Sequence, residues 1–305
     1  MRKTTIGPKQ MAAALLALCI SWAAGAQTAE VRPPRALVVI AHPDDESILA
    51  VTLYKIAREH HGLVDLFVIT DGEAGYKYAT LAETFYNCRL TNADDGRKRL
   101  PDIRRHELKR AGKILGVAHY YFAHQRDDKY CTDERDALDS CWDVPAVKKA
   151  LADRLRRGRY DYIFCLLPEV GEHGAHKAAT LLALDAVAAM SITDRPVILG
   201  VMTSDKGDSI TRFRGYLHYQ RTLPVADTAL FTVDRTTHFS YNNRLDYKVI
   251  ANWELAEHKS QGATQMTMND GDLEQFWYFR QDNPGGIDRC KVLFAQLQTT
   301  PYAAN

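Results

Sequence analysis

The chain has 305 residues, of which 46% are hydrophobic, enough to bury a substantial core. Its 39 basic and 38 acidic side chains leave no excess charge to steer it onto nucleic acid, and it contains no internal repeat or low-complexity tract.

The first 26 residues read as a segment apart from the fold. Arg2, Lys3 and Lys9 form a positive stretch, Met11 to Trp22 an apolar core, and Ala24-Gly25-Ala26 a small-residue cleavage site, which together describe a secretory signal peptide. The expectation is cleavage near Ala26 and a periplasmic or secreted protein with no stable membrane anchor. The apolar run falls short of the roughly 18 residues a span needs, and no basic cluster follows it. Leu18 stands where a lipid-modified Cys19 would want a small residue, so no lipid anchor is implied. Residues 27–35, with Pro33-Pro34, read as an extended leader, and residues 36–300 as a single domain.

Ala36 to Ile40 and Leu63 to Thr70 are continuous apolar runs of strand length. Between them Ser47 to Glu59 carries Ile48, Val51, Leu53, Tyr54 and Ile56 at helical spacing. That is a βαβ unit, so the strands are expected to be parallel. Gly72 to Gly96 lacks a sustained period and reads as a long loop with one helical turn near Glu83. Helix is expected over Arg97 to Gly116, strand over Ala118 to Phe122, and a second polar loop over His124 to Asp143. A helix over Val144 to Arg157, a strand over Tyr160 to Leu167, an alanine-rich helix over His173 to Met190 and a strand over Val197 to Met202 follow. This alternation predicts an α/β fold, a Rossmann-like doubly wound, mostly parallel sheet. Beyond Thr203 the pattern weakens to a strand near Phe231-Thr232-Val233, a helix over Asn243 to His258 and a turn at Gly285-Gly286, a less regular α+β extension.

Five cysteines follow the signal segment: Cys88, Cys131, Cys141, Cys165 and Cys290. An oxidising compartment permits disulfides, and Cys131 with Cys141, bracketing a short polar loop, is the expected pair. Cys165, inside an apolar run, is expected to be a buried free thiol. No C-x-x-C spacing occurs, which argues against a cysteine-based zinc cluster.

Ala41-His42-Pro43-Asp44-Asp45-Glu46 leaves the first strand where open α/β sheets bind their ligands. His42 and Asp45 converge across a tight turn, and an imidazole with a carboxylate makes two of the three protein ligands a catalytic zinc takes. The third must come from another strand end. Gly171-Glu172-His173-Gly174-Ala175-His176 follows the strand that ends near Leu167, with two histidines facing one way at i and i+3. One can hold the ion while the other faces substrate.

Ala41 to Glu46 resembles the A-H-P-D-D-E signature of the PIG-L/LmbE-like deacetylases, zinc enzymes that remove N-acetyl groups from N-acetylglucosamine-containing compounds. Ile69 to Glu73 is similar to that family's T-x-G-E segment, Arg104 to Glu107 to its R-x-x-E helix, and His258-Lys259-Ser260-Gln261 to its H-x-S-Q segment. The resemblance implies one Zn2+ per chain, or another divalent ion, held by His42, Asp45 and His176. It further implies Asp44 as general base, His173 facing the substrate carbonyl, and Arg104 on the sugar hydroxyls of an N-acetylated sugar or conjugate. The family's H-P-D-H is here His173-Gly174-Ala175-His176, without the aspartate that orients or charges the first histidine. An amidase for a larger acyl group and a non-catalytic, metal-containing glycan-binding module are the alternatives. Tyr76, Tyr78 and Phe85 are candidates for a stacking surface, while Asp127 and Asp128 read as solvated loop carboxylates.

Overall fold

The structure, a computed structural model, describes residues 32–302; the expected signal peptide lies outside the described residues. Residues from Pro33 onward form one compact unit. Its centre is a seven-stranded sheet in the order β3-β2-β1-β4-β5-β9-β6. Strands β1 (Arg35–Ile40), β2 (Leu63–Thr70), β3 (His119–Gln125), β4 (Tyr162–Leu166) and β5 (Val197–Ser204) run parallel. β9 (Leu273–Tyr278) joins β5 antiparallel and β6 (Phe231–Asp234) pairs antiparallel with β9, so β9 alone runs against the others, and β7 (His238–Phe239) with β8 (Leu245–Asp246) makes a separate two-stranded ribbon.

The central strands read as unbroken apolar runs because both faces of the sheet are covered. Ala36, Val38 and Ile40 of β1 point into one core, and Leu37 and Val39 into the other. Against the first core pack α1 (Ala50–Tyr54, flanked by a 3-10 turn Asp45–Leu49 and a π turn Lys55–Glu59) and α3 (Ala93–Leu115). α6 (Lys248–Leu255) and α7 (Gly286–Leu297) complete that layer. Against the second core pack α4 (Val144–Gly158) and α5 (Gly174–Ala188). From β1 the chain winds outward through β2 and β3, then returns to β4 and winds the other way, so the order reverses between β1 and β4. The C-terminal ends of those two strands open a crevice at that switch point.

The loop expected over Gly72 to Gly96 is more ordered than its composition implies. A 3-10 turn, Glu73–Tyr78, runs through Ala79 into α2 (Thr80–Tyr86), and Ala79 and Ala82 pack on Leu90 and Leu100. α3 begins at Ala93 rather than Arg97 because the Asn92 side chain caps it, accepting from Asp95 N at 2.9 Å. Arg35, placed in the leader by its sequence, belongs to β1.

The expected Cys131–Cys141 disulfide is not present: all five described cysteines are free thiols. Residues Asp136–Cys141 wind into a π turn that carries Cys141 against Asp128 and Asp136, while Cys131 Sγ turns to the Asp133 carbonyl at 3.4 Å. Cys165 is buried, and burial pushes its thiol far up. No described helix is long and apolar enough to cross a membrane.

Candidate metal centre

The turn after β1 is built around Asp45. Its Oδ2 accepts from Ala41 N at 3.0 Å and His42 N at 2.9 Å, closing the turn and leaving Oδ1 to face the crevice. Asp44 takes the left-handed conformation, φ 106°, which aims its side chain away from that of Asp45. Across the crevice α5 starts at Gly174, whose N–H donates to the Cys131 carbonyl at 2.7 Å. A Cβ there would stand 2.4 Å from the Asp133 carbonyl oxygen, so the close pass of the 131–134 loop demands glycine. Proline, which the resembling motif carries at this step, would forfeit the donor as well.

The three expected ligands meet. His176 Nε2 lies 3.0 Å from Asp45 Oδ1 and 3.1 Å from His42 Nδ1, and His42 Nδ1 lies 3.6 Å from Asp45 Oδ1. These edges bracket the spacing of about 3.3 Å between donors set tetrahedrally at about 2.0–2.1 Å from one ion. His173 stands on the open side, its ring stacked on His42 at 5.0 Å and on Tyr130 at 4.9 Å.

Carboxylates back both imidazoles. Glu172 Oε1 lies 2.8 Å from His176 Nδ1, fixing the tautomer that presents a bare Nε2 to the crevice. Asp127 Oδ1 stands 3.6 Å from His42 Nε2, beyond hydrogen-bonding reach, and acts on it by charge. Burial opposes protonation of His42 and His176, yet the carboxylates win: Asp127 and Asp45 raise His42 to about 9, and Asp45 and Glu172 raise His176 to about 10. Asp45, although buried, is held well below the usual carboxylate range by His176 and His42. The cluster therefore favours positive charge at a point where His42 Nδ1 and His176 Nε2, 3.1 Å apart, cannot both aim an N–H at each other. One divalent cation between neutral imidazoles meets both demands, so these residues fit such an ion.

His173 behaves differently. Burial, then the positive neighbours His42 and His176, pull it down to about 4. Its Nε2 has only the Lys129 carbonyl, at 3.4 Å, and Ala175 offers no charge. It is a neutral imidazole with one N–H to donate, not the pre-charged acid that a neighbouring aspartate would sustain.

Asp44 is gripped on both oxygens. Arg104 Nη2 donates to Oδ1 at 2.7 Å and Thr264 Oγ1 to Oδ2 at 2.6 Å. Arg104, expected on the sugar hydroxyls, is buried, with Nη1 on the Gly72 carbonyl at 2.7 Å and Nη2 also on the Pro43 carbonyl. It borders the cavity, but its terminal nitrogens are engaged by the protein, which makes it a positioning residue for Asp44. Glu46, at the end of the turn, accepts from Asp44 N at 3.0 Å and meets His258 Nε2 at 2.8 Å. Glu107 receives Ser260 N and Oγ at 2.8 and 2.6 Å, so the R-x-x-E and H-x-S-Q segments brace each other beneath the site.

Sequence reasoning missed Asp127, Glu172 and Thr264. Asp127 looked like a solvated loop residue, yet it is 6% exposed, held by Ala74 N at 3.0 Å. Glu73 braces it by accepting from Asp127 N at 2.9 Å. Of the aromatic candidates, Tyr78 lines the cavity, Tyr76 packs beneath α2 and Phe85 is exposed. The cavity over the centre measures about 720 Å³ and reaches from His42, Asp44, His173 and His176 to Arg235 and Asn252.

Residues 37–187 match the PIG-L family, described as GlcNAc-PI de-N-acetylase. The chain carries a PIG-L family domain. The matched stretch of this PIG-L domain runs from β1 to α5 and contains His42, Asp45, His173 and His176. No curated protein sequence matches the chain. The structure of N,N'-diacetylchitobiose deacetylase from Pyrococcus horikoshii is similar at a TM-score of 0.50 and 16% identity, over 93% of this chain and 98% of that one. GalB, the 4-carboxy-2-hydroxymuconate hydratase from Pseudomonas putida KT2440, reaches 0.47 at 16% identity, over 80% of this chain and 95% of that one. The zinc-inhibited form of teicoplanin deacetylase Orf2 reaches 0.47 at 15% identity, over 81% and 98%. The first of these likenesses is one of fold.

Proposed function

We propose that this PIG-L protein is a metal-dependent N-deacetylase that hydrolyses the acetamide of an N-acetylated amino sugar or its conjugate. The observation that carries the reading is the triangle of His42 Nδ1, Asp45 Oδ1 and His176 Nε2, with edges of 3.0 to 3.6 Å, at one end of a cavity that also holds Asp44 and His173. His42, Asp45 and His176 would hold a divalent ion, zinc by the donor set, and such an ion supplies Lewis-acid activation of water and of the amide carbonyl.

The remaining work falls to the chain's own side chains. Asp44 faces the cavity on the side of the turn away from Asp45 and accepts the proton of the attacking water at a carboxylate oxygen. Arg104 and Thr264 fix its plane, so the proton acceptor is in place before substrate arrives. His173 donates its N–H to the carbonyl oxygen as negative charge develops there. The proton on Asp44 then passes to the leaving amine, a duty a neutral His173 does not take.

The test is acetate release by zinc-loaded mature protein from a panel of N-acetylglucosamine glycosides, set beside the same sugars carrying longer acyl groups. Acetate release is expected, and Asp44→Asn lowers kcat by about 10²- to 10⁴-fold with metal retained. Faster cleavage of the longer acyl groups would make it a broader amidase. Binding of glycosides by metal-loaded protein with no amide cleaved in the panel would make it a glycan-binding module. We also propose that residues 1–26 direct export, on their charge and hydropathy pattern. N-terminal sequencing of protein from the cell envelope checks this, and a chain starting at Met1 refutes it.

A further inference from the structure

His173 is the one imidazole of the centre that no carboxylate holds. His176 has Glu172 and His42 has Asp127, whereas the His173 ring meets, among the described residues, only the Lys129 carbonyl and three other rings. His176 meets it edge-on, with 69° between the planes. The other two rings lie nearly parallel to it: His42, with centroids 5.0 Å and planes 7° apart, and Tyr130, at 4.9 Å and 22°. The carbonyl, 3.4 Å from Nε2, is beyond the usual range of an N–H···O bond and a weak restraint on rotation. The plane of His173 is therefore left to stacking.

Tyr130 is placed for this contact and for little else. It is 68% exposed, no described residue bonds its hydroxyl, and the only ring it meets among the described residues is His173, so the fold gains little from it. Its backbone, by contrast, is tied down on both sides. Arg97 Nη1 donates to the Asp127 carbonyl at 2.7 Å and Nη2 to the Asp128 carbonyl, and on the other side the Cys131 carbonyl accepts the Gly174 N–H at 2.7 Å. Gly174 directly follows His173, so the segment that carries Tyr130 is fastened to the residue beside the ring it covers. Glycine makes room for that segment, whose Asp133 carbonyl oxygen would stand 2.4 Å from a Cβ at position 174. Ala175, only 9% exposed, sits where a carboxylate would have to be desolvated. The Gly174-Ala175 step thus both leaves His173 without a charged partner and admits the loop that brings it a ring.

We propose that Tyr130 is a positioning residue, whose ring, stacked on His173, holds the imidazole in the plane from which it donates to the substrate carbonyl. The ring does this work and the hydroxyl takes no part. The role in the reaction rests on the deacetylase reading; the hold on the His173 ring does not.

Zinc-loaded wild type, Tyr130→Phe and Tyr130→Ala are compared in two measurements; because Tyr130 is exposed, their melting curves are expected to coincide. Acetate release from the best substrate of the N-acetylglucosamine glycoside panel gives kcat and KM. Carbethoxylation by diethyl pyrocarbonate, read at His173 by peptide mass spectrometry, reports how well the ring is held and covered without requiring turnover. Tyr130→Ala should lower kcat about 3- to 10-fold, the range of one aromatic pair, with KM and zinc content little changed, and should speed the carbethoxylation of His173 by a similar factor. Tyr130→Phe, which keeps the ring, should match wild type in both. An unchanged kcat in Tyr130→Ala overturns the proposal, as does a loss confined to KM. A Tyr130→Phe variant as slow as Tyr130→Ala also overturns it, since the hydroxyl would then be the working group. If no glycoside releases acetate but Tyr130→Ala still opens His173 to the reagent, the deacetylase reading falls and the hold on His173 stands; if the labelling is unchanged as well, both fall.

Discussion

The stretch from Leu37 to Val187 and the chain after it divide the labour of one cavity. The first places the residues proposed as ion ligands, proton acceptor and donor at the switch point between β1 and β4, where the topology itself opens a crevice. The second supplies none of the proposed ligands but reaches back to them: Thr264 grips the side chain of Asp44, His258 and Glu254 enclose the Glu46 that holds the Asp44 backbone, and Arg235 lines the same cavity. On the proposed reading, strand ends set the chemistry and long-range hydrogen bonds hold its side chains in place. Variants on either side of this division should fail in different ways.

The largest effect is expected on the first side. His176→Ala removes one corner of the donor triangle and should cost stoichiometric zinc and nearly all turnover, whereas Glu172→Gln, which loosens the imidazole from behind, should weaken metal affinity about 10- to 100-fold. Atomic emission on dialysed protein, beside acetate release, measures both. Full zinc occupancy in His176→Ala would remove that residue from the ligand set.

A middle-sized effect probes the junction. Thr264→Val deletes the hydroxyl that meets Asp44 Oδ2 at 2.6 Å and should lower kcat by about 10-fold, the order of one hydrogen bond to a charged group, with KM and zinc content little changed. Thr264→Ser should restore the rate. Equal losses in Val and Ser would mean that the methyl group and packing matter, and the clamp on Asp44 would lose its support.

The two sides also differ in how legible they were in the sequence. β1, β2, β4 and β5 were readable because parallel strands buried on both faces are written as apolar runs, β3 at the sheet edge shows as a short aromatic run, and the proposed ligands lay in motifs beside strand ends. β9 was not, since Glu274 and Gln275 interrupt Leu273–Tyr278; only the structure shows that Glu274 is buried at 0% exposure because the start of α1 and Arg235 satisfy it. Asp127 left no periodic signal, being a carboxylate in a polar loop, and its burial depends on Glu73 and Ala74 from the end of β2. Arg104, which the resemblance puts on the sugar hydroxyls, engages Asp44 and two carbonyls in the structure, contacts to which its sequence context gives no clue.

The smallest effect tests whether the second side is an inert buttress or one that holds protons. Burial pushes Glu254 up to about 8, with His258 opposing and Glu46 adding to the rise, while His258, despite its burial, is raised well above its usual value by Glu46 and Glu254. Native protein near neutral pH therefore keeps protons that the unfolded chain has released, Glu254 above about pH 4.5 and His258 above about pH 6.5. With the unfolded state binding fewer protons, stability from this cluster is greatest at the acid end and falls as pH rises from about 4.5 through 8. Glu254→Gln imitates the protonated carboxyl at every pH. Its melting temperature relative to wild type should climb between pH 5.5 and pH 8.5, a comparison that cancels the titration of groups elsewhere. A difference independent of pH would mean that Glu254 carries the same charge folded and unfolded, and the clamp behind Asp44 would then be a charged lock, not a proton-holding one.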